Sequence, residues 1–324
     1  MRILVTGSSG YIGSYLCNML ANREDVEKIY AFDNLIYSQG HLTHPVYASH
    51  EKIEFYKSNI LSFNGSIAHA VEDSDIIFPL AAIVGAPACD KHSAYAKALN
   101  LEWISTLAKR INENQLVIYP NTNSGYGSVG DGLCTEETPS NPISLYGKLK
   151  QDAEDILLAS LANNSICFRL ATVFGWSFRP RLDLLINNLT LSAFFDKEIE
   201  VFDGHFRRNY VHVKDVCRAF SFAIDNAEKM KGQTYNLGND AINMTKKDLA
   251  RSIGSVIGCK VFETDTRTDP DKRDYLVSSQ KLYDLGYSPS MPLERGVTEL
   301  AAFYFSLPKA KALREIITSP MYNY

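Results

Sequence analysis

No two cysteines in this 324-residue chain stand at a metal-binding spacing or in a disulfide framework. Cys17, Cys89, Cys134, Cys167, Cys217 and Cys259 are scattered instead, which excludes a zinc ribbon or a stapled mini-domain and fits free thiols in a reducing compartment. The seven histidines form no His-Glu-x-x-His pair, so no metal site is expected. No uncharged apolar run approaches the roughly 20 residues of a membrane helix, and the chain starts directly on a strand pattern without a secretion signal. A cytoplasmic location is expected. A formal net charge of -4 supplies no field for nucleic acid or an acidic membrane. An anionic ligand must therefore be held by a local cluster of bases.

What is present is the composition of an ordinary core-forming chain, 45% hydrophobic and 22% charged, with no internal repeat or low-complexity tract. The first half alternates short apolar strands with helical patterns, the signature of an α/β fold with a helix-covered parallel sheet. Strands are expected at Arg2–Thr6, Lys28–Phe32, Ile53–Phe55, Ile76–Phe78, Leu116–Tyr119 and Ile166–Arg169. Helices are expected over Tyr11–Leu20, Ala94–Ile111 and Leu145–Leu161. After Gly175 the pattern changes at the basic, proline-broken stretch Phe178-Arg179-Pro180-Arg181. We read a dinucleotide-binding domain over residues 1–172 plus about 210–238, and a smaller substrate domain over 173–209 plus 239–324, closing over the strand ends where open α/β sheets bind ligands.

The first strand runs into Thr6-Gly7-Ser8-Ser9-Gly10-Tyr11-Ile12-Gly13. Gly7 allows a tight turn, Gly10 lets backbone approach a pyrophosphate, Gly13 permits close packing, and the helix N-terminus offers free N–H groups to the phosphate. Asp33 ends the second strand; a carboxylate there accepts ribose hydroxyls and repels a 2′-phosphate, favouring NAD over NADP. Tyr146 and Lys150 stand four apart on one helix face. A free phenol has a pKa of about 10, and a neighbouring ammonium lowers it toward the range of a useful base. Thr122, in Asn121-Thr122-Asn123-Ser124-Gly125-Tyr126-Gly127 at a strand end, can hydrogen-bond the reacting hydroxyl.

With these residues the chain resembles the extended short-chain dehydrogenase/reductases of the NAD-dependent epimerase/dehydratase family over essentially its whole length. The resemblance adds Leu80-Ala81-Ala82, Asn100, the segment Arg169-Leu170-Ala171-Thr172-Val173-Phe174-Gly175 and the segment Arg208-Asn209-Tyr210-Val211-His212-Val213. It implies an extended Rossmann fold with a smaller α/β domain, NAD as cofactor and a nucleotide-diphosphate sugar as substrate. By it Tyr146 is the base, Lys150 binds the nicotinamide ribose, and Thr122 assists. Asn59 faces the adenine, and Asn34, Ile60, Leu80, Ala81, Ala82 and Asn100 complete the cofactor site with the glycine loop and its Tyr11 and Ile12. A homodimer through the Ala94–Ile111 and Leu145–Leu161 helices is also implied. Ala82 to Pro87, Tyr119 to Gly127, Arg169 to Gly175 and Asp269 to Tyr275 are similar to the GDP-heptose 4-dehydrogenases of bacterial capsule synthesis, so a GDP-sugar is favoured.

Dehydratases of the family resemble one another in carrying Asp-Glu directly after the catalytic Thr. Asn123 and Ser124 stand there and cannot titrate usefully, which argues against dehydration. Oxidation at C4 is the leading reading; 4-epimerisation needs the same residues, and a non-catalytic NAD-binding sensor or an NADP-dependent reductase are the remaining alternatives. Candidate substrate ligands are Thr122, Asn123, Ser124, Thr172, Asn187 and Asn188, with Arg179, Arg181, Arg207, Arg208 and Arg273 for the diphosphate because their planar forks suit phosphate. Arg208 and Arg273 match family diphosphate positions. At least two of the five are expected to be ordinary surface charges, and Thr172 replaces a usual Asn. Bland roles are expected for Cys89 (a buried thiol), His212 (a hydrogen-bonded structural group), Asp215 (a cap on a helix from Val216) and the acidic run Asp152, Glu154, Asp155 (a solvated face).

Overall fold

A computed structural model describes residues 1–36, 50–63, 65–129, 132–264 and 274–307. Its strands are β1 (Arg2–Thr6), β2 (Lys28–Asp33), β3 (Ile53–Lys57), β4 (Ile76–Pro79), β5 (Leu116–Thr122), β6 (Leu133–Cys134), β7 (Ser165–Leu170), β8 (Thr172–Phe174), β9 (Glu198–Val201), β10 (Arg207–Arg208), β11 (Tyr210–His212), β12 (Gln233–Leu237), β13 (Met244–Thr245), β14 (Lys260–Glu263) and β15 (Leu276–Val277). Seven of these make one parallel sheet in the order β12-β7-β5-β4-β1-β2-β3.

The central strands are apolar on both faces because both are covered. Ile3 and Val5 of β1, Ile76 and Phe78 of β4 and Leu116 and Ile118 of β5 enter one core, against Leu16 and Leu20 on one helix and Val216 and Phe220 on another. Their neighbours Leu4, Ile77, Val117 and Tyr119 enter the opposite core with Trp103, Leu107, Leu149 and Leu157. That alternation is the period of two expected of strands feeding two helix layers. A third core is built from Ile186, Leu191, Leu249, Ile253, Val297 and Tyr304, on helices Leu185–Phe195, Lys246–Ile257 and Leu293–Ser306 beside the parallel pair β9–β14.

The chain leaves β1 for β2 and β3 on one side and returns to β4 on the other, so the order reverses between β1 and β4. The crevice at such a reversal is where open α/β sheets hold ligands. It brings the loop after β1, the turn after β4 and the end of β5 to one rim.

Where sequence and structure differ, the cause is tertiary. The single helix expected over Ala94–Ile111 is Ser93–Lys97, a π-turn at Ala98–Glu102 and Trp103–Ala108. The π-turn holds Asn100, whose side chain is taken up by the backbone of Ile83, and single π-turns are a common device at functional sites. Asp215 does not cap a helix from Val216: the helix begins at Val213 under a side-chain cap from His212, while Asp215 is buried and accepts from the Ser290 and Met291 N–H groups and from Arg218. His212 is buried and bonded to Glu299, as its structural reading required.

The acidic run is split as well. Asp155 is exposed, but Glu154 is fully buried. Its Oε1 accepts from Arg169 Nη2 at 2.7 Å and Nε at 3.1 Å, and its Oε2 from Asn121 Nδ2 at 2.6 Å. Arg169 Nη1 then donates to the Tyr126 hydroxyl, which donates to Asn236. Neighbouring strands and the Leu145–Ser160 helix thus share one buried charge pair. Arg169→Met leaves that carboxylate buried and uncompensated and is expected to cost about 3–5 kcal/mol, whereas Glu154→Leu with Arg169→Met recovers much of it; urea midpoints of the three proteins check this.

Candidate active site

The rim after β1 is shaped by glycine. Gly7 turns at φ +69, and a Cβ there would lie 2.7 Å from the Ala81 nitrogen; one on Gly13 would lie 2.2 Å from the Gly7 carbonyl oxygen. The loop therefore packs against the turn after β4 and against its own helix more tightly than any other residue allows. Gly10 stands at the N-cap of the Tyr11–Ala21 helix with no side-chain cap, so the first-turn N–H groups and the positive dipole end are left to an anion. Asp33 closes this end, its two oxygens accepting from Ser9 N at 3.0 Å and Leu35 N at 2.8 Å. Burial pushes its carboxyl up, the two N–H bonds oppose that, and the Arg179 charge also pulls it back.

A cavity of about 780 Å³ runs from this loop to the end of β5. Gly7, Gly10, Tyr11, Ile12 and Gly13 line it. So do Asp33, Asn34, Asn59 and Ile60, and beyond them Leu80, Ala81 and Ala82. Thr122, Ser124, Tyr146, Lys150 and Thr172 line the same cavity, with Arg179 and Arg181. Residues from Gly7 to Tyr275 in the chain thus line one cavity.

The remaining candidates lie elsewhere. Asn100 clamps Ile83, with Oδ1 accepting from its N–H at 2.9 Å and Nδ2 donating to its carbonyl at 2.8 Å; it shapes the wall from behind. Asn187 is spent the same way, accepting from Gly175 N and donating to the Arg181 carbonyl. Asn188 follows on that helix and does not line the cavity. Asn123 is buried, does not line the cavity, and has no hydrogen bond to either side-chain atom among the described residues. Arg207 is paired with Asp274. Arg208 is buried behind the wall, its guanidinium 5.7 Å from the ring of Tyr275, which does line the cavity. Arg273 lies outside the described residues.

Sequence reasoning missed Ser144 and Ile143, which line the cavity. Ser144 accepts from Gly147 N as the N-cap of the helix carrying Tyr146, and a serine directly before that helix was the available signal. Ile143 carries none.

Electrostatically the unusual group is Lys150. Its side chain is buried, with Nζ 3.9 Å from the Tyr119 ring centroid. Burial pushes the ammonium down to about 7, against the neighbouring Cys167, Glu154 and Cys89, which pull the other way. At neutral pH its charge is balanced between two states, and an anion formed beside it would restore the charge. Thr122 is held by Ser124: its hydroxyl donates to Ser124 Oγ at 3.0 Å and accepts from Ser124 N at 3.2 Å. Tyr146, Lys150 with its lowered proton affinity, and the Thr122 hydroxyl held by Ser124 thus line the same cavity as the glycine loop.

The family model described as "NAD dependent epimerase/dehydratase family" matches residues 3–238. The chain belongs to that family. It is an NAD-dependent enzyme, and its site fits the dinucleotide on structural grounds, because the loop admits no side chain at Gly7 or Gly13 and the capless helix end faces the cavity. The chain is 27% identical over 321 residues to an uncharacterized UDP-glucose epimerase, YtcB, of Bacillus subtilis, covering 95% of this chain and 99% of that one. The crystal structure of a dTDP-glucose 4,6-dehydratase from Bacillus anthracis with NAD superposes with a TM-score of 0.80 at 25% identity, covering 94% of this chain and 96% of that one. A UDP-glucuronic acid 4-epimerase from Bacillus cereus, with its substrate and NAD, gives a TM-score of 0.83 at 23% identity over 97% and 100% of the two chains, a likeness of fold. Among the described residues no helix is long and apolar enough to cross a membrane, and no cluster could hold a metal ion.

Burial of Lys150 makes the stability of the protein depend on pH. An unfolded lysine keeps its proton to about 10.4, so between pH 7 and 10 the unfolded chain binds more protons and folding gains with rising pH; below 7 both forms are charged and the burial penalty stands in full. Lys150→Met is expected to be more stable than the parent by about 1–3 kcal/mol at pH 6.5, with the gap shrinking toward pH 9, as thermal melts at both values will show.

Proposed function

We propose that this enzyme oxidises the C4 hydroxyl of a nucleotide-diphosphate sugar, with a GDP-linked heptose or hexose as the favoured substrate and a homodimer as the working unit. The observation that carries the reaction is that Thr122, Tyr146 and Lys150 line one cavity together with the glycine loop. Tyr146 takes the proton of the sugar hydroxyl. Lys150, on the same helix face one turn later, favours the phenolate form in which Tyr146 acts as the base, before the proton transfer turns it into the neutral phenol. Thr122, held by Ser124, orients the hydroxyl. The bound NAD, cradled by the Gly7–Gly13 loop and Asp33, supplies the hydride acceptor.

Two features narrow the outcome. Asn123 and Ser124 stand where the dehydratases resemble one another in carrying Asp-Glu, and Ser124 is hydrogen-bonded to Thr122. These two positions thereby lack the carboxyls that would supply acid and base for elimination of water. The GDP preference rests on resemblance of the Ala82–Pro87, Tyr119–Gly127 and Asp269–Tyr275 runs to the GDP-heptose 4-dehydrogenases. Arg208 and Arg273 are the proposed diphosphate ligands, and Arg208 reaches the cavity wall through Tyr275. A second reading, 4-epimerisation, is supported by the small, apolar wall through Val84, Gly85, Ala86 and Pro87, which offers little to keep a 4-ketone from turning over before reduction.

Purified protein incubated with NAD and GDP-, UDP-, CDP- and dTDP-sugars, GDP-heptose included, is expected to yield a ketone trapped at C4 by borodeuteride with the GDP-heptose, together with reduced cofactor. Tyr146→Phe is expected to lower kcat about 100-fold or more, the scale of a lost general base. An isobaric stereoisomer without net reduction would instead establish the epimerase. Arg208→Met is expected to raise KM about tenfold or more while changing kcat less, because it removes a ligand distant from the reacting atoms; initial-rate kinetics on the preferred sugar will check this.

A further inference from the structure

Residues Gly175–Arg181 cross the first turn of the Tyr11–Ala21 helix as a strap tied at both ends. At its start the Tyr11 hydroxyl donates to the Gly175 carbonyl at 2.7 Å. Ser177 Oγ then donates to the Tyr11 carbonyl at 2.6 Å and stands 3.3 Å from Ser14 Oγ. Phe178 packs on Tyr15, with ring centroids 6.2 Å apart. At its far end Asn187 Nδ2 donates to the Arg181 carbonyl at 2.8 Å. Arg179 is therefore carried two residues past the Ser177 anchor on the first turn of that helix; it lines the cavity, and its charge acts on the Asp33 carboxyl.

Asp33 reaches the glycine-loop end of the same cavity from β2. Its carboxylate accepts from Ser9 N of the glycine loop and from Leu35 N, and it lines the cavity as well. A carboxylate here accepts the hydroxyls of an adenosine ribose and repels a 2′-phosphate, whereas a guanidinium binds phosphate oxygens in pairs. The two side chains have opposite preferences for one part of a dinucleotide.

We propose that Asp33 and Arg179 form the cofactor-selecting pair of this enzyme, with Arg179 a preset contact for a ribose 2′-phosphate that the Asp33 carboxylate keeps from binding. Selectivity for NAD then resides in one negative charge, and the cation for the phosphorylated cofactor is already in place. The proposal rests on the assignment of this cavity end to the dinucleotide. It gives Arg179 to the cofactor rather than to the substrate diphosphate.

Isothermal titration of the full chain with NAD and with NADP tests this without relying on turnover. Asp33→Asn keeps the shape and an oxygen for Leu35 N while removing the charge. It is expected to gain about tenfold or more in NADP affinity. Asp33→Asn with Arg179→Met is expected to lose that gain while its NAD affinity stays within about threefold of the single variant. Asp33→Ser is measured in parallel, and a thermal melt of each protein establishes that it is folded. No gain in either folded Asp33 variant, or a gain that persists without Arg179, overturns the pair. NAD binding by the parent with no such gain sinks this proposal alone, whereas failure of the folded parent to bind either dinucleotide sinks the cofactor assignment with it.

Discussion

The buried carboxylate of Glu154 ties together the elements that carry Thr122, Tyr146 and Lys150, the groups proposed to react. Taking that charge out of water is tolerable only because Arg169, Asn121 and Gln151 all reach it. Each partner belongs to a different part of the site's frame. Asn121 immediately precedes Thr122 at the end of β5, and Arg169 lies on β7, the next strand. Glu154 itself lies one turn past Lys150, which lies one turn past Tyr146. Tyr146, Lys150 and Glu154 therefore descend one helix face from the cavity into the core. The relative placement of Thr122, Tyr146 and Lys150 is governed by whether that one charge is satisfied.

Around this frame the structure uses polar side chains to shape backbone that others present to a ligand. Asn100 holds Ile83, so the turn after β4 keeps its path along the cavity. Asn187 holds Gly175 and Arg181, so the strap stays over the helix end. His212 caps the Val213–Asp225 helix and bonds Glu299 of the Leu293–Ser306 helix, packing edge-on against Phe174 of the third core with ring centroids 5.2 Å apart. Lys150 is the counter-case. Its buried amine holds its proton less tightly than a solvated one, because no hydrogen-bonded acid among the described residues is set against it to offset the cost of burial, and an anion beside it would raise that affinity again.

Much of the fold was legible because its periodicities are strong. The strands at Arg2–Thr6, Lys28–Asp33 and Ile76–Pro79 and the helix from Leu145 stand where alternation and the 3.6-residue repeat place them. The glycine loop was legible because its constraint is local: Gly7 and Gly13 are dictated by contacts within a few residues and with the adjacent turn. The Ala94–Ile111 helix was legible only in outline. Its π-turn exists so that Asn100 can meet Ile83, a partner 17 positions away that periodicity does not register. Glu154 reads as one more charge in an acidic run until β7 sets Arg169 against it.

The sequence by itself determined the alternation of strands and helices, the anion-binding loop, the acid at the end of β2 and the Tyr146/Lys150 pair, because each is written within a few residues and needs only local geometry to be recognised. The tertiary structure decided the rest. It placed Arg179 at the Asp33 end of the cavity, put Arg208 behind Tyr275, turned Asn100 and Asn187 toward backbone and buried Glu154. Those outcomes depend on which distant segments the sheet order and the three cores press together, and a polar side chain's role is set by the partner it meets there.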